Sequence, residues 1–101
     1  MTKEEAIELI TKELTKAVAK FPEWPVDPIH ASQVVQEEAG ELGQATLQWA
    51  YESGNRTSCL NEAIQAGAMA IRFLMHINDY KCQVDNKQVR TNLFSKKETN
   101  Q

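Results

Sequence analysis

The chain is poor in cysteine, has no long hydrophobic run and is short of positive charge over most of its length. Its two cysteines, Cys59 and Cys82, have no metal-ligand spacing and no secretory context, so reduced thiols in a cytoplasm are expected. No apolar stretch is long enough to span a membrane, and the opening MTKEEAIELI is charged and amphipathic, unlike a signal peptide. Neither a membrane partner nor a cleaved leader is expected. Asn55-Arg56-Thr57 spells a glycosylation sequon, which without a secretory route is only a turn. Residues 1–80 hold 6 basic and 12 acidic side chains, whereas residues 81–101 hold 5 basic and 2 acidic. An acidic body argues against nucleic acid, which needs a basic face to displace its counterions. A phosphate ligand stays compatible if metal ions bridge it to the carboxylates. Also absent are β alternation, internal repeats and low-complexity tracts. At 101 residues this leaves one small all-α domain.

Three helices are predicted. The first runs from Lys3 to Lys20, opened by a Thr2/Glu5 capping box in which each side chain satisfies an orphan N–H. Ile7, Ile10, Leu14, Ala17, Val18 and Phe21 trace its apolar stripe. Two prolines in Phe21–Val26 force extended geometry there. Asp27 as N-cap and Pro28 at the first position open the second helix, which runs to Glu52 or Ser53 and is stopped by Gly54-Asn55. Thr57 or Ser58 caps the third, which runs to about Asn78. Between Ala63 and Met75 only Gln65 and Arg72 are polar. A helix apolar nearly all round has to be buried all round. Two partner helices from one small chain do not suffice, which implies a homodimer or homotetramer with the third helix at a bundle centre. Residues 1–80 form the helical domain. Residues 81–101 are a polar basic tail with anchors at Val84, Val89, Leu93 and Phe94, read as a short helix, an arm or a mobile end.

The chemistry is concentrated in Glu37-Glu38-Ala39-Gly40-Glu41 and in Glu62-Ala63-Ile64-Gln65. At about 100° per residue, Glu37, Glu38, Glu41, Gln44 and Gln48 form one polar stripe on the second helix. On the third, Glu62, Gln65, Met69, Arg72 and His76 share a face. If the stripes meet, Glu38, Glu41 and Glu62 converge, and acids that close raise each other's pKa or recruit a cation. Mg²⁺ suits such a site, because it takes oxygen ligands, keeps several waters and usually brings a substrate phosphate. Arg72 then contacts a phosphate oxygen or pairs with an acid. Against this stands the ordinary reading of a Glu-Glu-x-x-Glu string as a solvated helix face. Gln44 and Gln48 also suit hydrogen bonding across an interface. His76 is read as a helix C-terminal cation or a satisfied core imidazole.

Glu38-Ala39-Gly40-Glu41-Leu42 with Trp49, followed by Glu62-x-x-Gln65 in an apolar helix, resembles the MazG-type all-α nucleoside triphosphate pyrophosphohydrolases. Their signature is E-E-x-x-E on one helix and E-x-x-D on the next. The resemblance spans roughly Leu14 to Asn78. It implies an obligate helical dimer or tetramer, Mg²⁺ held by carboxylates of both helices, and hydrolysis of a (d)NTP to the monophosphate and pyrophosphate. It makes Glu38, Glu41 and Glu62 metal ligands, and Glu37 a ligand or the group that orients the attacking water. Gln65 stands where the family has Asp; its amide can ligate a metal but carries no charge and cannot act as a base. Arg72, Lys81 and Asn86 are approximate counterparts of the family's downstream basic and Asn residues. Trp24 and Trp49 are assigned to stacking on the base, with interior packing as the alternative for Trp49.

The expected function is therefore Mg²⁺-dependent pyrophosphohydrolysis of a nucleotide, with water aligned by Glu37 or Glu38 attacking the α-phosphorus in line. No nucleophilic side chain is needed, and Cys59 and Ser58 have no paired His. Gln65 motivates a second reading, a non-hydrolytic binder of a nucleotide or other small ligand in the same cavity. A third is a helical adaptor whose acidic stripe is merely solvated.

Overall fold

The structure, a computed structural model, describes residues 1–83; expectations for Val84, Asn86, Val89, Leu93 and Phe94 lie outside the described residues. Three helices follow in order: α1 (Lys3–Lys20), α2 (Pro28–Tyr51) and α3 (Arg56–Met75). Among the described residues there is no strand, and no helix is long and apolar enough to cross a membrane.

The helix starts follow local side-chain chemistry. Thr2 Oγ1 accepts from the Glu5 amide at 3.1 Å while Glu5 Oε1 accepts from the Thr2 amide at 2.8 Å, completing the capping box. Asp27 Oδ1 accepts from the Ile29 amide at 2.9 Å at the head of α2. The cap of α3 is Asn55, not Thr57 or Ser58: its side-chain oxygen takes the Ser58 amide at 2.8 Å. Asn is among the best N-caps, and it places both hydroxyl residues inside the first turn.

The helix ends are set by longer-range contacts. α2 stops at Tyr51, and the Gly54 amide folds back to the Gln48 carbonyl at 3.0 Å. A Cβ at position 54 would lie 2.8 Å from Gln48 atoms, so glycine serves here by close approach and not by a left-handed φ. α3 ends at Met75 rather than near Asn78. Beyond it the amides of His76, Ile77 and Asp79 bond three residues back, a tightening that turns the chain toward Tyr80.

α1 and α2 each pack on α3, and their backbones do not approach each other closely. The packing surfaces are small: Ala31, Ala45 and Ala68 are buried, and a Cβ at Gly67 would sit 2.9 Å from Ile10 Cδ1 of α1. Small residues let the helix backbones approach closely. They also yield a thin core, with no large side chain fully buried among the described residues. As expected, α1 and α2 do not enclose α3 by themselves: they cover only part of it, and Leu74 is 65% exposed. Phe21, expected to complete the stripe of α1, is 61% exposed at its C-cap, because Pro22 turns the chain away there.

The α1–α2 connection is tied to the far end of α3 by Arg72. Its guanidinium is buried, 3% exposed, and Nη2 donates to the Phe21 carbonyl at 2.6 Å and toward the Glu23 carbonyl at 3.4 Å. The cation also lies 4.9 Å from the Trp24 ring. Trp24 Nε1 donates to Tyr80 Oη at 2.9 Å, and Tyr80 Oη donates to the Phe73 carbonyl at 2.9 Å. His76 stacks on Trp24 at 6.0 Å between centroids, and its Nδ1 lies 3.4 Å from Asp79. The Lys81 amide returns to the Val26 carbonyl at 2.9 Å, which closes the loop cluster. Removing the guanidinium strands two backbone carbonyls and the indole face. We expect Arg72→Ala to cost about 2–3 kcal/mol in denaturant unfolding, with divalent-cation affinity unchanged. A stable Arg72→Ala protein would show that the loop is held by other contacts.

Candidate functional site

Glu38 and Glu41 lie one turn apart on α2, and Glu62 faces them from the first half of α3. One carboxylate oxygen of each lies within 4.8 Å of the others. The expectation that these three acids converge is met by the antiparallel run of α2 along α3, in which Thr46 touches Cys59 at 3.2 Å further along. Glu38 and Glu62 are half-buried and Glu41 is exposed. Oε2 of Glu38 and Oε2 of Glu62 are buried and accept no hydrogen bond. Buried acceptors without a donor are rare, because each forfeits its hydration.

The electrostatics follow from this arrangement. Burial pushes the Glu38 carboxyl above the ordinary range, and the nearby charges of Glu41, Glu62 and Glu37 push it the same way. Glu62 is raised by its own burial and then by Glu41. Each of these groups prefers a proton or a cation to bare ionisation. The donor set consists of hard oxygens only, which suits Mg²⁺ and leaves coordination places for water or a phosphate oxygen. Opposed ligands of an octahedral Mg²⁺ site stand about 4.2 Å apart, so a small side-chain adjustment brings the three oxygens onto one ion. The residues present therefore fit a divalent cation.

Two hollows adjoin the carboxylates. The larger, of about 510 Å³, lies between α1 and α2 because those helices stand apart. Glu38, Val34, Gln65 and Met69 line it from α2 and α3, while Lys16, Lys20 and Phe21 contribute from the α1 side. The smaller, about 270 Å³, is bounded by Glu41, Gln44, Gln48, Ser58 and Glu62. Gln44 and Gln48 thus extend the polar stripe of α2 as expected, opposite the start of α3.

The polar stripe expected on α3 divides. Glu62 joins the acids and Gln65 enters the larger cleft beside Glu38. Arg72 and His76 instead turn to Trp24 and the loop cluster. Arg72, expected to meet a phosphate or an acid, is committed to two backbone carbonyls. Trp24, expected to stack on a base, has its ring against Arg72 and His76 and its N–H on Tyr80. Trp49 is 47% exposed on α2 and does not line the cleft. Glu37 is exposed and outside the three-carboxylate cluster, acting on it through the field it adds at Glu38. Lys81 lines a separate hollow with Asp27 and Ile29. The sequence reading missed Lys16, Lys20 and Phe21. Their i, i+4 spacing and adjacency were visible, but not the gap between α1 and α2 that makes them line one cleft.

Comparison with protein-family models, with curated proteins and with solved structures found no match. Any functional assignment therefore rests on the residues themselves.

The raised carboxyls make a linkage prediction. A pKa raised in the folded state contributes stability that is full below the unfolded value and lost as pH rises through the folded one. With chelator present, thermal stability should therefore fall as pH rises above the ordinary carboxyl range, the part owed to Glu38 and Glu62. Glu38→Gln should raise the melting temperature above that range, and Mg²⁺ should do the same for the wild type. A wild-type profile unaffected by both chelator and Mg²⁺ would contradict the arrangement.

Proposed function

We propose that this chain is a Mg²⁺-dependent nucleotide pyrophosphohydrolase, a divergent member of the MazG-type group, which cleaves a (d)NTP to the monophosphate and pyrophosphate. The observation that carries the reading is the three-carboxylate cluster, two of whose buried oxygens have no donor, opening onto a cleft of nucleotide size. Glu38, Glu41 and Glu62 would hold the cation, which when bound neutralises phosphate charge and assists attack of water on the α-phosphorus. Glu38 reaches both the cluster and the cleft, which suits it to orient that water. Glu37, on the exposed side, tunes Glu38 by its charge. Gln65 offers the substrate a neutral amide.

A homodimer or homotetramer is part of the proposal. Ile71, Leu74 and Met75 on α3, with Leu47 and Trp49 on α2, are exposed large apolar side chains that a partner subunit would cover. A second reading, non-hydrolytic binding of a nucleotide in the same cleft, is favoured by one observation. Gln65 lies beside Glu38 where the resembled family has an acid, which lowers the charge available to a second metal ion.

Pyrophosphate release from a panel of (d)NTPs with Mg²⁺ tests the proposal. At least one should be turned over, and Glu41→Gln should lower the rate by about two orders of magnitude. Gln65→Asp should tighten Mg²⁺ binding. Nucleotide binding with no turnover by the wild type would establish the second reading instead.

A further inference from the structure

With Arg72 turned inward, the proposed nucleotide site lacks the cation that the sequence offered it. The cleft lining supplies two others, Lys16 and Lys20. They stand at i and i+4 on α1, so both ammonium groups project to one side of that helix. Each has only a loose partner. Lys16 Nζ lies 3.9 Å from Glu13 Oε1, beyond hydrogen-bond reach, on a largely exposed side chain. Lys20 Nζ rests 5.5 Å from the centroid of the Phe21 ring. Phe21 itself is mostly exposed and lines the same cleft.

The chemistry of the walls is divided. Lys16 and Lys20 favour an anion. Phe21, Met69 and Val34 favour a flat apolar group, and Gln65 offers a hydrogen-bonding amide. Glu38 is shared with the carboxylate cluster, so a ligand filling the cleft has one end beside the candidate cation. A nucleoside polyphosphate combines an aromatic base with anionic oxygens in one molecule of suitable size. Its phosphate would otherwise meet Glu13 and Glu38 with no positive side chain along the cleft wall.

We infer that Lys16 and Lys20 are positioning residues for the phosphates of a nucleotide bound between α1 and α2, and that Phe21 receives its base. The nucleotide as ligand rests on the reading proposed above, whereas the cleft and the α1 residues stand on the packing of the helices. Stacking on an aromatic side chain is tolerant of base identity, so Phe21 contributes affinity more than selection.

Calorimetric titration of the full chain, with Mg²⁺ present, tests the inference with two probes: a panel of α,β-methylene nucleoside triphosphates and inorganic tripolyphosphate. The double variant Lys16→Gln/Lys20→Gln should bind both probes roughly tenfold more weakly or worse, with a flatter dependence on ionic strength. Lys16→Arg/Lys20→Arg should restore most of the affinity, which a merely structural role would not produce. Phe21→Ala should weaken the nucleotide and leave tripolyphosphate unchanged. All these side chains are exposed enough for the variants to fold, and unchanged Mn²⁺ affinity would confirm an intact cluster. If the wild type binds a nucleotide and the lysine and phenylalanine variants bind it equally well, the inference is overturned and the nucleotide reading stands. If the wild type binds no nucleotide, both are lost.

Discussion

α1 and α2 both rest on α3 and their backbones do not approach each other closely, and the rest of the molecule depends on that constraint. The two outer helices are held in place chiefly by one shared surface and by the loop that joins them. Arg72 secures that loop by giving its guanidinium to the Phe21 and Glu23 carbonyls. Trp24, Tyr80 and Phe73 complete the tie through two hydrogen bonds. A buried cation without a carboxylate partner is costly. Here carbonyl dipoles and an aromatic face offset that cost, and the geometry holds the gap between α1 and α2 open.

The same packing creates the electrostatic conflict at the other end of α3. The antiparallel run of α2 along α3 brings Glu38 and Glu41 against Glu62 and buries oxygens that nothing donates to. A fold that stores repulsion of this kind is stabilised by whatever relieves it, whether proton or cation. Stability and ligand binding are thereby linked through the same three side chains. The cleft beside them has a cationic and aromatic wall from α1, and the proposed nucleotide would satisfy both halves of the site.

What the sequence disclosed, and what it did not, follows from the range of each interaction. The caps at Thr2/Glu5 and Asp27-Pro28 are decided by residues two or three positions apart and were legible. Asn55 was harder to pick, since Thr57 and Ser58 also cap helices and the choice lies in which oxygen reaches which amide. The end of α3 depends on Tyr80 folding back onto Trp24, a contact no local pattern announces. Helical periodicity was enough to converge Glu38, Glu41 and Glu62. It also grouped Arg72 and His76 with them, because a face on a helical wheel carries no information about which neighbour lies where along the axis. The partners of Arg72 come from a loop some fifty residues earlier in the chain. Lys16 and Lys20 drew no reading and Phe21 was placed in the apolar stripe of α1, because nothing in the sequence states that α1 and α2 stand apart.

The central claim is that Glu38, Glu41 and Glu62 together hold a divalent cation. Titration with Mn²⁺, followed by the electron paramagnetic resonance signal of the free ion, tests it without assuming a substrate. The account predicts saturable binding that is lost or greatly weakened in each of Glu38→Gln, Glu41→Gln and Glu62→Gln and kept in Glu37→Gln. Equal Mn²⁺ uptake by the wild type and by a variant lacking all three carboxylates would contradict it.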